Sequence, residues 1–78
     1  GINLGDNITA KATTTNNIIT NVKFRWIDPS NNVARNTTIP IVDGETSDTY
    51  TPNQVGTLQV VAEFSNGTII VTKLQVPF

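Results

Sequence analysis

Asp43, Glu45 and Asp48 are acidic side chains grouped within six residues, with Gly44 free to turn between them. Clustered carboxylates of this kind suit calcium, which takes about six to eight oxygens at roughly 2.3–2.6 Å. Asp-x-Glu-x-x-Asp offers fewer ligands than an EF-hand loop, at different spacing. Acids of a solvated turn are therefore the plainer reading, and calcium the lesser one. Three Asn-x-Ser/Thr sequons begin at Asn7, Asn36 and Asn66, and each could accept an N-linked glycan on an exported protein. Ten Asn followed at random by thirteen Thr and three Ser among 78 residues would give about two sequons, so three is scarcely an excess. Asn36 and Asn66 are the expected accessible sites, Asn66 at a hairpin tip.

Other chemistry is closed off by composition. The chain has no Cys, His or Met. It thus lacks the ligands of a zinc finger, haem or iron–sulfur site, a thiol nucleophile, and an imidazole to activate Ser or Thr. Five Lys and Arg against six Asp and Glu leave a net charge of −1, with no basic excess to hold a phosphate backbone. No apolar run approaches the length of about 20 residues needed to span a membrane. The expectation is a protein that is not an enzyme, has no cofactor, and binds neither nucleic acid nor the membrane interior.

The elements that must hold these residues read as strands. Ile8, Ala10, Ala12 and Thr14 alternate with Thr9, Lys11, Thr13 and Thr15; Val22, Phe24 and Trp26 alternate with Lys23, Arg25 and Ile27. Leu58, Val60, Ala62 and Phe64 alternate with Gln59, Val61, Glu63 and Ser65. Val33 to Val42 reads as extended but irregular, an edge strand limited by Pro40. Thr46 to Thr51 is a short strand, and Ile69 to Val76 returns from a Ser65-Asn66-Gly67-Thr68 hairpin. That Asn-Gly pair favours a type I′ turn. Asp28 to Asn32 and Asp43-Gly44-Glu45 are further turns. Nine Ile and eight Val against three Leu favour strands over helices.

The expected fold is all-β, a small antiparallel sandwich of about seven strands without a disulfide, forming one domain over residues 1–78. Its core would hold Trp26, Phe24, Val22, Leu58, Val60, Ala62 and Phe64. Trp26 shares a face with Val22 and Phe24, which suits packing better than sugar stacking. Lys23, Arg25, Glu63 and Lys73 fall on outward positions of three strands expected to lie side by side. Ile27, Val61, Ile69 and Val71 are surplus apolar residues, the first two opposite the core, that would suit a neighbouring domain or protomer.

Val55-Gly56-Thr57-Leu58-Gln59-Val60 resembles the Gly-x-Tyr-x-Cys stretch of immunoglobulin-like domains, and Trp26 falls where the family's core tryptophan would lie. On that match Leu58 takes the tyrosine position, Val60 the second cysteine position, and Ala10 or Ala12 the first. The disulfide and the tyrosine corner are absent, as in the cysteine-free Ig-like or PKD-like modules of prokaryotic surface proteins. The run from Val22 to Arg35, with Tyr50 to Gly56 and Val60 to Gly67, resembles Ig-like repeats of exported archaeal envelope proteins, including surface-layer proteins. These blocks cover about half of the chain and are packing and turn motifs.

The resemblance implies a non-catalytic structural or spacer module, part of a longer secreted or cell-surface glycoprotein, that packs against neighbouring domains or protomers. The alternative is an adhesin-type or ancillary module that recognises protein or carbohydrate. A third reading is a fibre subunit completed by a donated strand, since no strong strand precedes Ile8.

Overall fold

Period-two alternation becomes strand wherever the sequence shows it. The computed structural model describes residues 2–78. Among these, six strands form and no helix: β1 (Ile8–Thr13), β2 (Asn21–Ile27), β3 (Val33–Pro40), β4 (Glu45–Tyr50), β5 (Gly56–Phe64) and β6 (Ile69–Val76). They make two antiparallel sheets, β1–β4 and β3–β2–β5–β6. The expected side-by-side order of the three charged strands is present as β2–β5–β6. Trp26 lies opposite Val60, and Val60 opposite Thr72. The structure has six strands where the sequence suggested about seven.

Both sheets contribute to one core. Ala12 of β1 joins Val22, Phe24 and Trp26 of β2 and Leu58, Val60 and Phe64 of β5, with Ile19 and Val76 beside them. Six of the seven expected core residues are buried. The seventh, Ala62, is only partly covered. Val61 is a correction: it points away from this core yet is only 6% exposed. It lies in register between Arg25 and Val71, and the long Arg25 stem suits the task of covering it. Arg25 Nε is itself buried without a hydrogen-bond partner, while Arg25 Nη2 stands 3.9 Å from Glu63 Oε1.

The segment expected to be irregular is a regular strand with one local fault. β3 pairs with β2 from Asn21–Pro40 to Trp26–Arg35, and the register then shifts so that Ile27 meets Val33. Ala34 is the residue left over, a β-bulge. Pro40 ends the strand, as its missing N–H requires. The chain then crosses to the other sheet through Ile41, whose N–H donates to the Thr20 carbonyl at 2.9 Å.

The two X-Gly turns exchange roles relative to expectation. At Asp43-Gly44 both central residues have positive φ, 53° and 77°, and Val42 and Glu45 exchange backbone hydrogen bonds. That is the two-residue type I′ turn. At Ser65-Asn66-Gly67 only Gly67 has positive φ, 91°; Gly67 N–H donates to Phe64 O, and Phe64 N–H to Thr68 O. The loop there has three residues, a type I turn closed by a glycine bulge, so Asn66 is not in the left-handed region.

The molecule is elongated, 41 × 20 × 15 Å. Ile8 lies opposite Tyr50 and Val76 opposite Gly56, so the start of β1 and the end of β6 share the pole that carries the β4–β5 connection.

Gly44 and Gly67 provide a matched test of the turns. A Cβ on Gly67 meets nothing within 4 Å, whereas one on Gly44 would sit 2.9 Å from the Thr14 carbonyl oxygen. Gly67→Ala should cost about 1 kcal/mol, the strain of positive φ alone, and Gly44→Ala about 2 kcal/mol or more. Urea unfolding of the two variants measures the difference; equal losses would contradict the close approach of Thr14.

Candidate functional site

The sharpest polar geometry lies inside the molecule, where three strands converge. In β4 the residues Thr46 and Asp48 point inward while Glu45, Ser47 and Thr49 are exposed. The β2–β3 ladder, unbroken from Pro40 to Arg35, sets Arg35 opposite Trp26, on the inner face of β3. Arg35 thereby crosses from the edge of the four-stranded sheet to Asp48 in the two-stranded one.

The contact is a forked ion pair. Arg35 Nη2 donates to Asp48 Oδ1 at 2.7 Å, and Arg35 Nε lies 3.1 Å from Oδ1 and 3.0 Å from Oδ2. Trp26 Nε1 donates to Oδ2 at 2.8 Å. Asp48 is 4% exposed, and Trp26 is fully buried and stacks on Tyr50 with ring centroids 5.4 Å apart. Burial on its own would push the Asp48 carboxyl up. Hydrogen bonds from Arg35 and Trp26, the Arg35 charge and the Thr49 backbone amide outweigh it and hold the carboxyl below its usual value. The same hydrogen bond and charge raise Arg35. Both carboxylate oxygens are engaged, so Asp48 is placed to fasten rather than to take a proton from a substrate.

The three calcium candidates are dispersed by this arrangement. Asp43 sits in the type I′ turn, where its tolerance of positive φ is used. Glu45 projects outward and pairs with Lys11 at 3.1 Å. Asp48 faces the opposite way, into the interior. Among the described residues no three His, Cys, Asp or Glu side chains are grouped to hold a metal ion.

The sequon asparagines are all exposed. Asn36 stands on β3 opposite Arg25, in a regular strand rather than an irregular segment. Asn66 accepts the Thr68 N–H at 3.1 Å within its turn, and Asn7 accepts the Thr51 hydroxyl at 2.6 Å. A hollow of about 410 Å³ over β1 and β4 is lined by Thr9, Lys11, Glu45 and Ser47, with Val42 and Thr46. No helix among the described residues is long and apolar enough to cross a membrane.

Arg35 was not marked by sequence reasoning, and Asp48, though inside the expected strand Thr46 to Thr51, was grouped with Asp43 and Glu45 as an acid of a solvated turn. One signal for the pair was present. Thr46, Asp48 and Tyr50 share the inward parity of β4, and a buried Trp usually needs an acceptor for its N–H.

Removing the acceptor tests the cluster. Asp48→Ala strands the Trp26 N–H and should cost about 2 kcal/mol, roughly 10 °C in Tm. The pH dependence has a definite sign. A carboxyl depressed in the folded state adds stability above its unfolded value, near about 3.9, and that stability is lost as pH falls through the folded value. The wild-type advantage over Asp48→Asn should therefore be largest at neutral pH and shrink toward about pH 2. A gap in urea midpoint that stays constant across that range would contradict an ionised Asp48. No family model, curated protein or solved structure matches the chain.

Proposed function

We propose that this chain is a non-catalytic structural module, an immunoglobulin-like β-sandwich of a secreted or cell-surface protein that serves envelope or interdomain assembly. The observation that carries the reading is the Arg35–Asp48–Trp26 cluster. A buried carboxylate and its charged partner are consumed in joining one sheet to the other, with both Asp48 oxygens engaged. A catalytic carboxylate needs an oxygen within reach of a substrate proton. The neutral surface, rich in Thr and Asn, suits a module that meets other protein surfaces and carries glycan on Asn36, Asn66 or Asn7.

The location is tested on source cells. Antibody raised against the module should label intact and permeabilised cells equally, and labelling only after permeabilisation would overturn an extracellular role. Intact mass of protein from the same cells should exceed the chain mass by whole hexose or hexosamine units; an unmodified mass would remove the glycan part of the reading.

A binding module is the second reading, favoured by the hollow over β1 and β4 with its hydroxyl-bearing rim of Thr9 and Ser47. A glycan array that retains the wild-type chain and loses Lys11→Ala would replace the structural reading with this one.

A further inference from the structure

Asn66 and Gly67 sit together at the tip of the β5–β6 hairpin, where Ser65 to Thr68 are all exposed. The contacts of the tip bear on a reaction between these two residues. Asn66 Oδ1 accepts the Thr68 N–H at 3.1 Å, an Asx-turn that folds the side-chain amide back along the Gly67 peptide. A bond from the Gly67 nitrogen to Asn66 Cγ would close a succinimide ring. Negative charge gathers on Oδ1 as that bond forms, and an N–H already aimed at this oxygen stabilises it. Gly67 has no Cβ to shield its nitrogen. Chain neighbours apart, nothing lies within 4 Å of where one would be.

Asn16 supplies an internal comparison. Its Oδ1 accepts the Ile18 N–H at 3.0 Å in the same kind of Asx-turn, but the residue that follows is Asn17, whose Cβ stands beside the nitrogen. Of the ten asparagines only Asn66 precedes a glycine. Asp43-Gly44 is the other acid-or-amide–Gly pair, and it is pinned. Thr14 N–H donates to the Gly44 carbonyl at 2.9 Å, and the Thr14 oxygen crowds the glycine from the same side.

We propose that Asn66 is a self-modification site of the folded chain, converting to aspartate and isoaspartate through a succinimide formed with Gly67. The Gly67 nitrogen bonds to Asn66 Cγ, the Cγ–Nδ2 bond breaks, and the proton lost by Gly67 leaves with Nδ2 as ammonia. Water then opens the ring. Cleavage of the new Cγ–N bond gives aspartate, and cleavage of the original peptide bond gives isoaspartate. Neither step needs an oxidant or a reductant.

One contact restrains the reaction. The Gly67 N–H donates to the Phe64 carbonyl at 2.8 Å, and this bond must open before the nitrogen can attack. A single backbone hydrogen bond at an exposed tip retards the step by roughly tenfold or less, so the fold delays it without preventing it. Either product carries a carboxylate and takes the net charge from −1 to −2. Conversion also erases the Asn66 sequon, because Nδ2, the atom that would bear a glycan, is the one that leaves. Isoaspartate lengthens the main chain of the loop by one carbon, against the register that pairs Glu63 with Ile69. The inference stands on the chemistry of the tip and is independent of the proposed function.

Peptide mapping of the purified chain tests it, after incubation at mildly alkaline pH in buffer and in denaturing guanidinium chloride. The folded chain should gain its first acid at residue 66, as separately eluting aspartate and isoaspartate peptides, while Asn16 keeps its amide. Its rate should fall within roughly tenfold of the denatured chain's. Gly67→Ala should slow conversion by roughly tenfold or more in both solvents, because the new Cβ shields the nitrogen. The denatured comparison is free of any folding loss that the alanine causes. A folded chain whose residue 66 is still an amide after the denatured chain has converted would overturn the proposal. So would earlier reaction at another asparagine, no conversion in either solvent, or equal rates for wild type and Gly67→Ala.

Discussion

A fold built from 78 residues without a disulfide has little surplus stability, and its two sheets must be held together by something besides a modest apolar core. Here that is one carboxylate. Asp48 accepts from Arg35 on β3 and from Trp26 on β2, so a single side chain joins three strands, and β1 is attached to them through its ladder with β4. The unbroken β2–β3 ladder from Pro40 to Arg35 sets Arg35 on the inward face with Thr37 and Ile39, and the type I′ turn returns the chain into β4 with Asp48 facing Trp26. Coulomb attraction alone would be a poor reason to bury a carboxylate. Its desolvation is offset because donors satisfy both oxygens, and because the arginine keeps part of its guanidinium in solvent.

Fastening at β3 and β4 leaves the opposite side without an equivalent. There Ala10 and Ala12 of β1 and Val60 of β5 line a hollow. The small side chains of β1 and the partly exposed Ile70 and Thr72 of β6 keep it open. The fold is thus closed by charge on one side and left with unpaired strand edges on the other.

Strand positions were legible because parity alone decides which side chains face inward, and parity can be read over four to eight residues. The Val22, Phe24, Trp26 and Leu58, Val60, Phe64 sets needed nothing more. Three features were not legible, each for its own reason. Asp43-Gly44 and Asn66-Gly67 carry the same local signal, and loop length, set by where the flanking ladders close, decided which became the type I′ turn. Val61 was expected to be exposed because its covering neighbours lie on strands more than eight residues away in sequence. Asp48 was grouped with Asp43 and Glu45 by proximity along the chain, although alternation turns adjacent acids of a strand to opposite faces. Its partner is thirteen residues away, on a strand whose inward set of Arg35, Thr37 and Ile39 holds a single apolar residue and so gives a weak parity signal.

The shared pole of the β1 start and the β6 end has a mechanical consequence. A load drawn between those two points acts across the strands rather than along them. Ile8–Tyr50 and Gly56–Val76 are the outermost pairs of their ladders. Tension would part the ladders from that pole inward, one or two hydrogen bonds at a time, each worth only about 1 kcal/mol. Loaded in shear along the strands, the same bonds would have to break together. In that direction the fold would peel open gradually under low force, with the Arg35–Asp48 fork across the other side among the last contacts to part.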